Sequence, residues 1–271
     1  MSILKTLRIG TRGSLLALAQ ANEVKKTLQL AYPFFLDEGK IDIVKIKTTG
    51  DLNQNKALHE LGGKGMFSKE IDRAMLKGDI DIAVHSLKDV ETILPNGISL
   101  VAVLKREDPR DAMLSQCVSS LSELSKGSII GTSSLRRQSQ ILSLYPHLKC
   151  VLFRGNIQTR LEKLKNNEVD ATFLALAGLN RLGMSEHATE IFDPEIILPA
   201  VSQGTIGITC RANDLEIKNI LSLINHEKTM TTVKCERSML ESLDGTCKTP
   251  IGGLAEIQDD GDIFLRGMVA Y

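Results

Sequence analysis

The chain has 271 residues, and its 33 lysines and arginines balance its 33 aspartates and glutamates to a formal net charge of zero. That balance excludes a nucleic-acid binder working by broad phosphate neutralisation, so any basic site must be a local pocket. No apolar run approaches a membrane span, and the first residues lack the long apolar stretch of a secretory signal. Five cysteines without close pairs read as free thiols in a reducing cytoplasm, and scattered histidines with no C-x-x-C or H-E-x-x-H leave no metal site to expect.

In chain order, Leu7 to Ser14 predicts a strand, a Gly-Thr turn and a helix capped by Ser14. Leu18, Ala21, Val24 and Leu28 then follow at helical spacing as far as Pro33. A capping hydroxyl takes amide protons that the first helical turn leaves unpaired, and the helix dipole adds positive potential there. With Arg12 inside the turn, this is an anion-site candidate. Ile41 to Lys47 alternates as a strand. The polar stretch 48–65 ends in Leu61-Gly62-Gly63-Lys64-Gly65, which suits a segment closing over a ligand and equally an inert surface loop. Phe67 to Leu76 reads as helix. Asp79 to Val90 reads as a strand ending in His85, Ser86, Lys88 and Asp89, at the carboxyl end where parallel sheets bind ligands. Ser99 to Leu104 is another strand, and the charged stretch Lys105 to Asp111 reads as a hinge.

Gly127 to Arg137 repeats the Ile-Gly-Thr device of residue 9 at residue 130, with Thr132, Ser133 and Ser134 before a helix. Arg136 and Arg137 fall in its first turn, where cations are unfavourable unless something outside the helix compensates. Arg154, Gly155, Asn156 and Arg160 follow, with Arg160 off the apolar stripe of Ile157, Leu161 and Leu164. Val169 to Leu182 predicts a buried strand turning into a helix, with Arg181 just beyond. Ile197 to Ile208, carrying Gln203, predicts a strand returning to the first lobe with a break at Gly204. From Asn219 a helix is expected with Val233, Met239 and Leu240 inside and Glu236 and Arg237 on the wet side. Cys247 then lies in a turn among Gly245, Pro250 and Gly252, where adjacent Lys248 favours thiolate. A hairpin over 254–270 closes the chain.

These elements predict an α/β fold of two hinged lobes with a small α+β C-terminal domain. Residues 1–104 with 205–218 form lobe 1, 105–204 lobe 2, and 219–271 the third domain. Arginine forks match carboxylates and phosphates, and without a phosphate-binding fingerprint a polycarboxylate is the better ligand. The residues alone give a polycarboxylate clamp with a reactive cysteine and no reaction. A non-catalytic sensor of organic polyanions fits the paired turns too, but gives no reason for Cys247.

Seven motifs, in order and across almost the whole chain, resemble the porphobilinogen deaminases, also called hydroxymethylbilane synthases. They are Thr11-Arg12-x-Ser14-x-Leu16-Ala17-Leu18, Gly62-Gly63-Lys64-Gly65-x-Phe67, Ala83-Val84-His85-Ser86-x-Lys88-Asp89-Val90, Arg106-Glu107-Asp108-Pro109-Arg110-Asp111, Gly131-Thr132-Ser133-Ser134-Leu135-Arg136-Arg137, Arg154-Gly155-Asn156 and Cys247-x-x-Pro250-Ile251-Gly252. The resemblance implies two lobes like periplasmic binding proteins, and a dipyrromethane cofactor joined to Cys247 by a thioether. Four porphobilinogen units would be added in turn, each losing ammonia, before hydrolysis releases hydroxymethylbilane.

The resemblance also implies roles. Asp89, with Lys88, would be catalytic. Arg12, Ser14, Lys88, Asp89, Thr132, Ser133, Ser134, Arg136, Arg137, Arg154, Gly155 and Gln203 would hold the cofactor on Cys247. Arg12, Lys64, Phe67, Arg154, Arg160 and Arg181 would bind substrate. No nucleic acid, membrane or metal partner is implied, and a cytoplasmic monomer is expected. Departures from the family pattern are Leu15, Glu60, Thr246, Lys248 and Thr249, and the third domain would be shortened at Tyr271.

Overall fold

The computed structural model describes residues 6–52, 67–243 and 249–270. Contacts divide the chain into two compact units. One comprises Met1–Asn53, Gly63–Arg106 and Thr205–Thr231; the other is chiefly Glu107–Gly204 with Thr232–Tyr271.

The first unit opens with β1 (Leu7–Arg12) and α1 (Leu15–Ala31). Ala17, Ala21, Val24 and Leu28 share one buried face of α1, the spacing that makes a helix amphipathic. Next come β2 (Ile41–Ile46), the single turn α2 (Thr49–Leu52), α3 (Lys69–Lys77), β3 (Ile82–Ser86) and β4 (Ile98–Val103). The second unit supplies β5 (Asp111–Ser115), β6 (Ile129–Gly131), α4 (Leu135–Leu144), β7 (Lys149–Val151), α5 (Ile157–Lys165), β8 (Ala171–Ala175), α6 (Leu176–Arg181) and β9 (Glu190–Ile191). The chain then gives β10 (Ile206–Arg211) and α7 (Leu215–Ser222) to the first unit. It ends with α8 (Glu227–Ser242), β11 (Ile251–Ile257) and β12 (Ile263–Val269).

Each unit is built on a five-stranded sheet of one design. The orders are β2-β1-β3-β10-β4 and β7-β6-β8-β5-β9. In both, the first three strands run parallel and the fourth is antiparallel to its neighbours. The two Ile-Gly-Thr stretches therefore occupy equivalent places, second in each sheet. In the second sheet a Cβ on Gly131 would lie 2.6 Å from the Phe153 ring, so only glycine lets that ring close over the strand. Leu7, Ile9, Val24, Leu28, Ile82, Ile206 and Ile208 fill one core; Met113, Ile130, Ile141, Phe173 and Phe192 fill the other.

Three readings need correction. Residues 197–205 are irregular rather than strand, because Ser202 (φ 62) and Gly204 (φ 88) are left-handed, so β10 begins only at Ile206. Asp111 is not hinge but the fully buried first residue of β5. Glu236 is not on a wet face: it has no exposed surface, because two backbone N–H groups take its carboxylate. The hairpin itself forms, with β11 starting three residues earlier than the spacing suggests.

Candidate functional site

In the first unit a pocket gathers at the carboxyl ends of β1 and β3. Arg12, Ser14, Gln20, Phe67, His85, Ser86 and Asp89 line it. Ser14 caps α1, its Oγ accepting the Ala17 N–H at 3.3 Å. The Arg12 guanidinium stacks 4.2 Å from the centre of the Phe67 ring, a cation–π arrangement. Asp89 ends a single helical turn, Leu87–Asp89, directly after β3 and is half-buried. Lys88 lies on the same turn but does not line the pocket. His85 is buried, with Nε2 3.2 Å from Thr209 Oγ1. Burial first, and the Arg12 charge second, push its pKa down to about 4, so the ring is neutral near pH 7.

In the second unit the corresponding strand end carries a cluster of guanidiniums. Ser134 caps α4 by accepting the Arg137 N–H, and Asn156 caps α5 by accepting the Thr159 N–H at 2.8 Å. Between them Gly155 stands at φ +132, where a Cβ would also meet Thr159 at 2.8 Å. That turn sets Arg154 just before α5 and Arg160 on its first turn, with Arg160 Nε donating to Gly155 O at 3.0 Å. Burial, then Arg137, then Arg154, bring the Arg160 pKa down to about 10. Burial also lowers Arg154. Three cations thus crowd two helix N-termini, an arrangement that favours an anion of several charges.

Arg136, Arg137 and Gln203 converge instead on one residue. Asp111 Oδ2 accepts from Arg136 at 2.7 Å, and its Oδ1 accepts from Arg137 and Gln203, each at 2.8 Å. Burial alone would raise this carboxyl. The two guanidiniums and the hydrogen bonds outweigh that and hold it well below the usual carboxylate range. Each arginine also reaches a carbonyl, Arg136 to Leu198 and Arg137 to Phe173. Their buried Nε atoms have no hydrogen-bond partner among the described residues.

Thr132 is buried and accepts the Ser134 N–H at 3.2 Å, while Ser133 is half-buried in the same turn. Arg181 donates to Gly204 O at 2.9 Å and lies in the field of Glu107. Lys64 and Cys247 lie outside the described residues. The structure therefore brings Arg12, Ser14, Phe67 and Asp89 together in one unit, and Arg137, Arg154 and Arg160 in the other. It adds Gln20 and Asp111, and it sets His85, expected at that strand end, in the pocket lining. Gln20 pairs reciprocally with Ser86, at 2.9 and 3.1 Å. Its place was visible in the periodicity, since residues 17, 20, 21, 24 and 28 share the buried face of α1.

Two five-stranded sheets of one design, each with a capped helix start after its second strand and one with crowded guanidiniums, define an α/β protein of two like units. Among solved structures the chain is similar to the methionine binding protein MetQ, with 14% identity and a TM-score of 0.49 over 89% of this chain and 96% of that one. A family model described as porphobilinogen deaminase, dipyromethane cofactor binding domain, matches residues 7–219, and one for the porphobilinogen deaminase C-terminal domain matches 230–271. The chain is 56% identical over 264 residues to the chloroplastic porphobilinogen deaminase of Oryza sativa subsp. japonica, covering 97% of this chain and 74% of that protein. It is 47% identical over 267 residues to the porphobilinogen deaminase of Geobacter sp. (strain M21), covering 98% and 82%. The chain belongs to the porphobilinogen deaminase family.

Proposed function

We propose that the residues gathered here carry the family's reaction, the deaminative joining of porphobilinogen units on a dipyrromethane held by Cys247. The observation that carries the reading is Arg160, a cation kept against burial and two neighbouring cations. Each pyrrole of such a molecule carries an acetate and a propionate, so the cluster and the group match in charge and in fork geometry. When bound, the dipyrromethane supplies the nucleophilic pyrrole carbon to which substrate units are joined.

The chain's own residues bind and polarise. Arg137, Arg154 and Arg160 take carboxylates, with the amides at the capped starts of α4 and α5 adding donors. Thr132, Ser133, Ser134 and Gly155 shape those turns, and Arg136 and Gln203 hold the cluster in place through Asp111. Arg12 takes a carboxylate in the first unit, its plane fixed by Phe67 and its turn by Ser14. Lys64 and Arg181 complete the substrate's ion pairs. Asp89 stands where positive charge appears as an aminomethyl group loses ammonia. A fixed carboxylate there lowers the barrier by attraction that strengthens toward the transition state. Lys88 shares its helical turn.

The reading includes a separate third domain over residues 219–271, of which the second family model matches 230–271, and a monomer at work in the cytoplasm. Intact-mass measurement tests it. Active protein should carry a dipyrromethane adduct, absent from Cys247→Ala, that colours with an aldehyde reagent for pyrroles. An unmodified mass from active protein overturns the tether.

A further inference from the structure

The buried carboxylate of Glu236 is not used by the chemistry above. Its Oε2 accepts the Ser202 N–H at 2.6 Å and its Oε1 the Ala255 N–H at 2.8 Å, so one side chain of α8 ties an irregular segment to β11. Ser202 is left-handed without being glycine, a conformation that persists only where its surroundings fix it. The same segment is pinned at every turn. Gly253 N–H donates to Pro199 O at 2.9 Å, and Gln140 brackets Leu198, its Oε1 accepting the Leu198 N–H and its Nε2 reaching the carbonyl that Arg136 also takes. Gln203 then reaches Pro109 O and Asp111, and Asp111 holds Arg137. Residues 198–203 thus have α8 and β11 on one side and the arginine pair on the other.

We propose that this segment is a brace, and that Glu236 is a positioning residue for the reaction. It fixes β11, the strand into which Cys247 leads, relative to the Arg137 guanidinium that takes the cofactor's carboxylates. The proposal rests on the tether reading above. A rigid link matters because a tethered group meets its partners at an effective concentration and angle set by the anchor, and a small misplacement is expensive in rate. Gln203 and Glu236 act on one another through two adjacent residues, so their effects should not be independent.

Amide hydrogen exchange on the holoenzyme tests the brace, and kinetics test its use. The Ser202 and Ala255 amides should exchange slowly and at matching rates. Gln203→Met, which touches neither amide, should accelerate both by at least tenfold. Glu236→Gln should lower kcat by at least tenfold with KM for porphobilinogen changed less than threefold, and the double variant should lose less than the product of the two single losses. Ser202 exchanging as a free loop amide, Ala255 unmoved by Gln203→Met, wild-type kcat in Glu236→Gln, or losses that multiply would each overturn the proposal. Should Glu236→Gln fail to fold, exchange in Gln203→Met decides. An unmodified Cys247 in active wild-type protein would sink the tether reading instead, and leaves the exchange result standing.

Discussion

Arg160 lies within the electrostatic field of Arg137, and both sit beside helix starts that are already positive. Burial is the largest cause of its low pKa of about 10, with Arg137 and Arg154 adding to it. Above that value the folded chain releases a proton that the unfolded chain still holds, so stability rises with pH there. Below it both states are charged, and the full cost remains at pH 7. In the Cys247→Ala background, which keeps the cofactor off, Arg160→Met should therefore raise the melting temperature by a few degrees. With Cys247 present the same change should cut kcat/KM by at least tenfold. Calorimetry beside steady-state kinetics checks both, and a variant both less stable and fully active contradicts the assignment.

Asp89 is half-buried at the end of a short turn, so removing its charge removes little packing. Asp89→Asn should melt within a few degrees of wild type and lose kcat by at least a hundredfold. Turnover at the wild-type rate would reassign the carboxylate.

His85 gives a pH dependence of definite sign. Its folded pKa of about 4 lies below the ordinary histidine value of 6.5, so in that interval the unfolded chain binds the extra proton and stability falls as the pH drops. The full effect is on the order of 3 kcal/mol. Denaturant titrations at pH 7 and pH 4.5 should show a smaller difference for His85→Gln than for wild type; equal differences would place the acid sensitivity elsewhere.

Asp111 balances two buried guanidiniums at once. Asp111→Asn leaves them without their counter-charge, and the loss should be about 3–5 kcal/mol, the range for breaking a buried pair from one side. Gln203→Met removes the hydrogen bonds to Pro109 O and Asp111 but no charge, and should cost about 1–3 kcal/mol. Urea midpoints for the two variants check the order, and a milder Asp111→Asn would mean that water already reaches the pair.

Much of the site was legible because local chemistry writes it locally. A hydroxyl before a helix acts within a few residues, so Ser14, Ser134 and the repeated Ile-Gly-Thr turn could be placed from the chain alone. What could not be read was the destination of long side chains. Nothing near Arg136 or Arg137 says that their forks close on a carboxylate 25 and 26 positions earlier, and a run with Glu107, Asp108 and Asp111 gives no hint which acid is swallowed. Glu236 is different. Val233, Glu236 and Leu240 keep the three- and four-residue steps of one helix face, so periodicity placed it inside while its charge argued for water. Period was the better guide, because Ser202 and Ala255 supply the N–H groups that make a buried carboxylate tolerable.

The place of β10 has a consequence for biosynthesis. It lies between β3 and β4, so the amino-terminal sheet cannot be completed from the amino-terminal stretch of chain. A ribosome adding about 5–20 residues per second needs roughly 5–20 seconds to travel from Val103 to Ile206. Through that interval β3 offers an open edge and β4 has no neighbour to join. A nascent polypeptide arrested before Arg211 is accordingly a client for chaperones and proteases rather than a half-finished enzyme.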